Sequence, residues 1–206
     1  MFKNLSSELL GTSDIGKIIS DKDFDKTESD DLIFREDHEK ICLLIKSKTD
    51  EYCFTNLALI HLDGASAISK KKLLKRYPYK HYMISDVLLE TAGTVDLDAE
   101  IKFKMGAIDF SIDIDKTQFT ALLGLYKALF VIAEKYKTIQ TELEVLDKTQ
   151  MAIHHMFSLR QLSEQAILNL PDIINQTSKQ VEDYYLQRKN EIRQYDFEPI
   201  FKKYIG

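Results

Sequence analysis

Glycine and cysteine are scarce in this sequence, and each shortage excludes a class of protein. The 206 residues include seven glycines, and no G-x-G-x-x-G, G-x-x-x-x-G-K-[ST] or G-x-S-x-G motif occurs. Phosphate-binding loops and nucleophile turns of common enzyme folds depend on such glycines. We therefore expect no P-loop or Rossmann enzyme. The sequence predicts no catalytic residue and no cofactor.

The two cysteines do not indicate a metal site or a disulfide framework. Cys42 and Cys53 lie in short apolar runs, form no C-x-x-C pair and have no further cysteine to complete a zinc site. This pattern is typical of buried thiols in a reducing cytoplasm. The adjacent His154 and His155 would point about 100° apart on a helix and could not share one metal ion. No metal site is predicted.

Long hydrophobic runs are also missing. The longest unbroken apolar run covers residues 128–133, whereas a membrane-spanning helix needs about 20 apolar residues. Residues 1–8 contain no apolar core or cleavage pattern of a signal peptide. We therefore expect a cytoplasmic protein that does not span a membrane.

Charge is distributed unevenly along the chain. The net charge is −5, and residues 1–40 contain eleven acidic and six basic side chains. Residues 41–90 reverse this balance, with eight basic and five acidic side chains. A mildly acidic chain is a poor candidate for nucleic-acid binding, so no nucleic-acid partner is predicted.

From residue 39 onward, short apolar runs and alternating stretches predict about seven short strands. Residues 95–103 and 108–114 alternate strictly between apolar and polar side chains, which predicts a hairpin with one buried and one exposed face. We expect its two-residue turn at Met105-Gly106, and a second two-residue turn at Asp63-Gly64. Facing pairs in the first hairpin would be Lys102 with Asp109 and Asp98 with Asp113.

After the strands the period becomes helical. An apolar stripe predicts a helix over Thr117–Tyr136, and a capping box at Thr141–Glu144 indicates the start of another helix. The expected parts are a short helical and polar N-terminal segment at 1–38, a strand domain at 39–136 and an α-helical hairpin extension at 137–206. The apolar stripes of the extension would pack on each other, on the strand domain or on another chain. Aromatic side chains suited to an interface occur at Tyr184, Tyr185 and Tyr195.

Several sequence segments carry a family resemblance. They are Glu39-Lys40-Ile41-Cys42-Leu43-Leu44-Ile45, Tyr52-Cys53-Phe54-Thr55-Asn56, Leu59-Ile60-His61-Leu62-Asp63-Gly64, and the basic stretch Lys70 to Arg76 followed by Tyr77-Pro78-Tyr79. The chain from about Glu39 to Lys135 resembles the bacterial pleckstrin-homology-like (PH-like) family. The helical tail looks like the extension of its YvbH-like subgroup.

The resemblance implies an α+β fold, a PH-like seven-stranded antiparallel β-barrel capped by a C-terminal helix, here followed by the helical hairpin. Family members are non-enzymatic domains of largely unknown role that tend to form closed cyclic rings. The strand surface where neighbouring protomers meet is proposed to bind other proteins. By resemblance, we expect a non-enzymatic module that forms a cyclic homo-oligomer and presents a polar surface to a protein partner.

A basic segment is the first candidate surface. One interpretation is a site for anionic lipid head groups; the others are an edge strand protected by lysines and the basic half of a subunit interface. In eukaryotic PH domains the basic residues that bind phosphates usually lie in the loop between the first two strands. Here that loop offers only Lys46 and Lys48 beside Asp50 and Glu51, so lipid is not the favoured ligand. The segment comprises Lys70, Lys71, Lys72, Lys75, Arg76 and Lys80.

An acidic strand face is the second candidate surface. Like charges directly opposite each other in a hairpin are destabilising unless something compensates them. The face could be solvated, hold Ca²⁺, or contact a basic surface on a neighbouring subunit. We favour the subunit contact, because a basic segment exists in the same domain. The residues of this face are Asp96, Asp98, Glu100, Asp109 and Asp113.

Overall fold

The computed structural model of the chain describes residues 14–64, 72–91, 98–158 and 170–206. Within these ranges, eight strands form two antiparallel sheets, a five-stranded sheet in the order β1-β2-β3-β4-β5 and a three-stranded sheet in the order β6-β7-β8. The strands are β1 (Lys17–Ile19), β2 (Ile41–Lys46), β3 (Glu51–Thr55), β4 (Ala58–Asp63), β5 (Leu73–Pro78), β6 (Ile84–Thr91), β7 (Asp98–Met105) and β8 (Ile108–Asp115).

The first strand corrects the predicted seven-stranded barrel. Strands β2 to β8 lie where seven strands were expected, but β1 falls inside the region predicted to hold only short helices and turns. Gly16, just before β1, forms a parallel bridge with Ile114 of β8. A Cβ atom at Gly16 would lie 2.7 Å from the Ile45 side chain, so only glycine permits this approach. The described residues thus form eight strands in two sheets linked at this bridge, rather than one closed barrel.

The β7–β8 hairpin has a different register from the predicted one. Its two-residue turn is Gly106-Ala107, so Met105 faces Ile108 and every facing pair shifts by two residues. Gly106 has a φ of +63°, and the tight hairpin turns need a positive φ at their first central residue. Glycine therefore takes that position rather than the second. The observed facing pairs include Lys104 with Asp109, Lys102 with Ser111, Glu100 with Asp113 and Asp98 with Asp115.

The predicted two-residue turn at Asp63-Gly64 is wrong. Strand β4 ends at Asp63, which faces Leu73 of β5, so the connection covers residues 64–72. Gly64 serves another purpose, because a Cβ atom there would lie 2.4 Å from the carbonyl oxygen of Thr49. The glycine allows a close backbone approach instead of a tight hairpin.

The central strands β2 to β4 of the five-stranded sheet are largely buried on both faces. On one face Phe54 packs against Phe103 of the other sheet, with ring centroids 6.0 Å apart. The other face is covered by the lead-in, which we define as residues 20–39 and which contains three 3₁₀ turns (Asp21–Lys26, Ser29–Leu32 and Arg35–Asp37). There Ile33 joins a buried cluster with Ile19, Leu44, Cys53 and Ile60.

In the described ranges after the strands, the α-helices are α1 (Phe119–Ser158), α2 (Leu170–Ile192) and α3 (Glu198–Tyr204). Helix α1 passes through Tyr136, where the sequence predicted an end, and through Thr141, where it predicted a new start. The Thr141 hydroxyl donates a hydrogen bond to the Lys137 carbonyl inside the helix. No glycine or proline occurs between Gly124 and Pro171 to interrupt it.

The chain divides into two compact units, Met1–Glu134 with Tyr195–Gly206, and Lys135–Gln194. In the first unit α3 packs on the sheets, with Phe201 of α3 buried 6.5 Å from Phe54 and Phe197 5.4 Å from Tyr79 between ring centroids. In the second unit Tyr185 of α2 donates a hydrogen bond to Asp147 of α1. None of the helices in the described ranges is long and apolar enough to cross a membrane.

Candidate functional site

The described part of the basic segment lies at the edge of the five-stranded sheet. Lys75 and Arg76 belong to β5, Lys72 immediately precedes it, and Lys80 lies in the exposed turn that follows. Lys70 and Lys71 lie outside the described residues. Among the described residues β5 pairs only with β4, so its other side has no strand neighbour.

Three of these basic side chains have acidic partners in the same protomer. Lys72 Nζ lies 2.7 Å from Glu28 of the lead-in. Lys75 Nζ lies 2.8 Å from Asp63 of β4, and this hydrogen bond raises the pKa of Lys75 and lowers that of Asp63. Both pairs are exposed to solvent, where an ion pair contributes about 0–1 kcal/mol. They can be broken at little cost.

The third pair is different because its carboxylate is buried. Arg76 lies 2.7 Å from Glu39, whose side chain is 0% exposed. Glu39 also accepts hydrogen bonds from the Thr55 hydroxyl (2.6 Å) and the Phe34 backbone amide (2.7 Å). The Arg76 guanidinium lies over the Phe34 ring at 4.2 Å. Arg76 therefore holds the lead-in on the sheet and is not available as a surface charge.

A second buried carboxylate, Glu51 of β3, fixes the middle of the lead-in. It forms an ion pair with Lys46 and accepts hydrogen bonds from the Ser29 backbone amide (3.1 Å) and hydroxyl (2.8 Å). Sequence reasoning missed Glu39 and Glu51. Both stand at the start of a predicted strand beside polar residues, where a glutamate ordinarily marks a solvated turn.

The described residues of the acidic face lie on the outer side of the three-stranded sheet, and their facing pairs differ from the predicted ones. Asp98, Glu100, Asp109 and Asp113 share that side, and Asp96 lies outside the described residues. Glu100 faces Asp113 directly. Burial, followed by repulsion from Glu100 and Asp98, raises the pKa of Asp113. The face thus carries more negative than positive charge.

Two observations limit what the acidic face can bind. Lys102 lies 2.9 Å from both Glu90 and Glu100, which neutralises part of the face. Within the described ranges, no three histidine, cysteine, aspartate or glutamate side chains converge as a metal site would require. The calcium alternative therefore finds no ligand set in this part of the molecule.

The second open edge, β6, adjoins the acidic face. Among the described residues β6 pairs only with β7, and Glu90 of β6 faces Glu100 of β7. A bulge between Ser85 and Leu88 interrupts the pairing, and Asp86 within it has a φ of +51°. Leu88 is 56% exposed on β6, as are Leu73 (56%) and Leu74 (49%) on β5. The two open edges thus carry side chains of opposite charge, most of them paired within the protomer, and exposed leucines.

Two packed antiparallel sheets followed by a long helix define a PH-like domain. The chain belongs to the bacterial PH domain family, since the sequence model described as "Bacterial PH domain" matches residues 9–133. "Uncharacterized protein YvbH" of Bacillus subtilis (strain 168) is 57% identical over 159 residues, which cover 75% of this chain and 78% of that protein. The resemblance noted in the sequence is confirmed.

A solved structure supports the same assignment. A crystal structure of a PH domain-containing bacterial protein from Exiguobacterium sibiricum 255-15 superposes with a TM-score of 0.84 at 47% identity. The match covers 94% of this chain and all of that one, so it includes the helical extension. PH-like domains are generally non-catalytic interaction modules.

Proposed function

We propose that the chain is a non-enzymatic, cytoplasmic interaction module that assembles into a cyclic homo-oligomer and presents a polar surface to another protein. One observation carries the proposal. The two open sheet edges of one protomer differ in charge, with β5 basic and β6 beside the acidic face. Each edge of one copy therefore complements the other edge of the next copy.

This arrangement favours a ring over a two-fold dimer. A contact between two different patches repeats from copy to copy, and it closes into a ring when the rotation between copies allows. Unpaired strand edges also offer free backbone donors and acceptors to a neighbouring strand. Leu73, Leu74 and Leu88 would supply the apolar centre of the contact, and Lys72 and Lys75 would meet the acidic side chains around it.

Light scattering on a size-exclusion column tests the assembly. We expect a discrete mass that is a multiple of 23.9 kDa and that falls at high salt, because exposed charge pairs are screened. Leu74→Lys should abolish the oligomer. Leu186→Lys is the matched control, since Leu186 of α2 is 50% exposed and Leu74 is 49% exposed. A monomer at all concentrations, or equal behaviour of the two variants, would refute the proposal.

Binding of anionic lipid head groups stays the alternative prediction. Lys72 and Lys75 are neutralised by Glu28 and Asp63, which reduces the positive charge that β5 could present to a membrane. Sedimentation with anionic vesicles decides between the two functions. Vesicle binding that is lost on charge reversal at Lys71 and Lys75 would favour the lipid alternative.

A further inference from the structure

The lead-in lies against β5 and is the most acidic stretch of the first unit. Residues 20–39 contain nine acidic and three basic side chains. Two of the acids reach the basic segment, Glu28 through Lys72 and Glu39 through Arg76. The chain therefore supplies its own acidic partner to the strand that we propose as one half of the subunit contact.

These two pairs differ in whether another group can displace the acid. Glu39 is completely buried and holds Thr55 and Phe34 as well as Arg76, so it stays in place. Glu28 and Lys72 are 38% and 34% exposed, and the structure gives their pair one hydrogen bond of 2.7 Å. Of these two pairs, the Glu28–Lys72 pair is the one in which a carboxylate from outside can replace the acid.

The lead-in nevertheless holds Glu28 in position. The next residue, Ser29, is fully buried and donates its backbone amide and hydroxyl to Glu51. Because the backbone beside Glu28 is fixed, little conformational freedom is lost when its side chain meets Lys72. Glu28 is thus a preorganised intramolecular competitor rather than a freely moving surface acid.

We propose that Glu28 is an autoinhibitory contact, which occupies Lys72 in the free protomer and which the acidic face of a second copy must displace. This inference rests on the proposed assembly. On exchange, Lys72 loses Glu28 and gains a carboxylate from the neighbour, where Glu100 and Asp113 repel each other. The neighbour gains relief of that repulsion, and the exposed intramolecular pair is weak. The free energy of assembly therefore depends on the small difference between these two contacts of Lys72, and removing the charge of Glu28 changes that difference.

The test compares two variants that lose the same charge from the same segment. Glu28→Gln frees Lys72, whereas Glu36→Gln removes an exposed acid of the third 3₁₀ turn. We expect the dissociation constant of assembly, measured by analytical ultracentrifugation, to be about two- to fivefold lower for Glu28→Gln than for Glu36→Gln, the range that an exposed ion pair provides. The urea midpoint of each variant verifies that both are folded.

A double substitution completes the test. If Glu28 acts through Lys72, Glu28→Gln with Lys72→Gln should assemble no better than Lys72→Gln alone. Assembly of the wild type with equal constants for Glu28→Gln and Glu36→Gln would overturn this inference and leave the proposed function standing. Monomers for the wild type and both variants at every concentration would overturn both.

Discussion

Replacing Glu51 by glutamine removes one charge from a buried ion pair and leaves the shape of the site intact. The side chains of Glu51 and Lys46 are 2% and 10% exposed. Glutamine can still accept hydrogen bonds from Ser29, but Lys46 keeps its charge without a partner in the interior. Removing one member of a buried pair costs about 3–5 kcal/mol, because the remaining charge stays desolvated.

We expect the lower end of that range, a loss of about 3 kcal/mol in the free energy of unfolding, because the long lysine side chain can bring its ammonium group toward solvent. Typical domains unfold with about 5–15 kcal/mol, so the loss is a large part of the total. Urea unfolding followed by circular dichroism measures it. A loss below about 1 kcal/mol would show that the pair contributes no more than a surface ion pair.

The pH dependence gives a second readout of the same group. Burial alone would raise the pKa of Glu51, but Lys46 and Ser29 outweigh it and lower the pKa below its usual 4.5. A carboxyl with a lowered pKa stabilises the fold above its unfolded-state pKa, and this contribution is lost as the pH falls through the folded-state pKa. The gap between wild type and Glu51→Gln should therefore be widest at neutral pH and narrow in acid. A gap that stays constant from pH 7 to pH 3 would refute this account.

Two further predictions concern the three-stranded sheet. Asp113→Asn should raise the free energy of unfolding at pH 7 by about 0.2–1 kcal/mol, because it removes the repulsion from Glu100; the gain should shrink as the pH falls through the raised pKa of Asp113, as urea unfolding at several pH values would show. Gly106→Ala should lower it by about 1–2 kcal/mol, because its φ of +63° is left-handed. Gly106→Asn should cost less, and equal losses for the two variants would contradict the backbone explanation.

Local sequence patterns were enough to predict most of the strands. Strands β2 to β8 are each five to eight residues long, long enough for an apolar run or an alternation to show, and the acidic side of β7 and β8 follows from their strict alternation. Strand β1 has three residues, too few for a period, and its place depends on Gly16 fitting beside Ile45. The end of α1 could not be predicted from the sequence either, because Thr141 and Glu144 fit a helix interior as well as a capping box.

Local sequence patterns could not predict the buried carboxylates, for a physical reason. Glu39 reaches Arg76, which is 37 positions away, and Glu51 reaches Ser29, which is 22 positions away. Each glutamate is tolerated inside only because several donors from distant parts of the chain converge on it. These donors do not lie together in any short stretch of the sequence. The local charge pattern therefore could not distinguish a buried structural glutamate from a solvated one.

The fold also changes the meaning of the charge asymmetry along the chain. The acidic N-terminal region and the basic middle are neighbours in space, where Glu28 meets Lys72 and Glu39 meets Arg76. They neutralise each other, so the basic segment presents less charge than its sequence indicates. The outer face of the three-stranded sheet has no comparable cationic cover, since Lys102 and Lys104 are its only lysines on the described strands. We therefore expect the acidic face to contribute more than the basic edge to the electrostatic attraction of a partner.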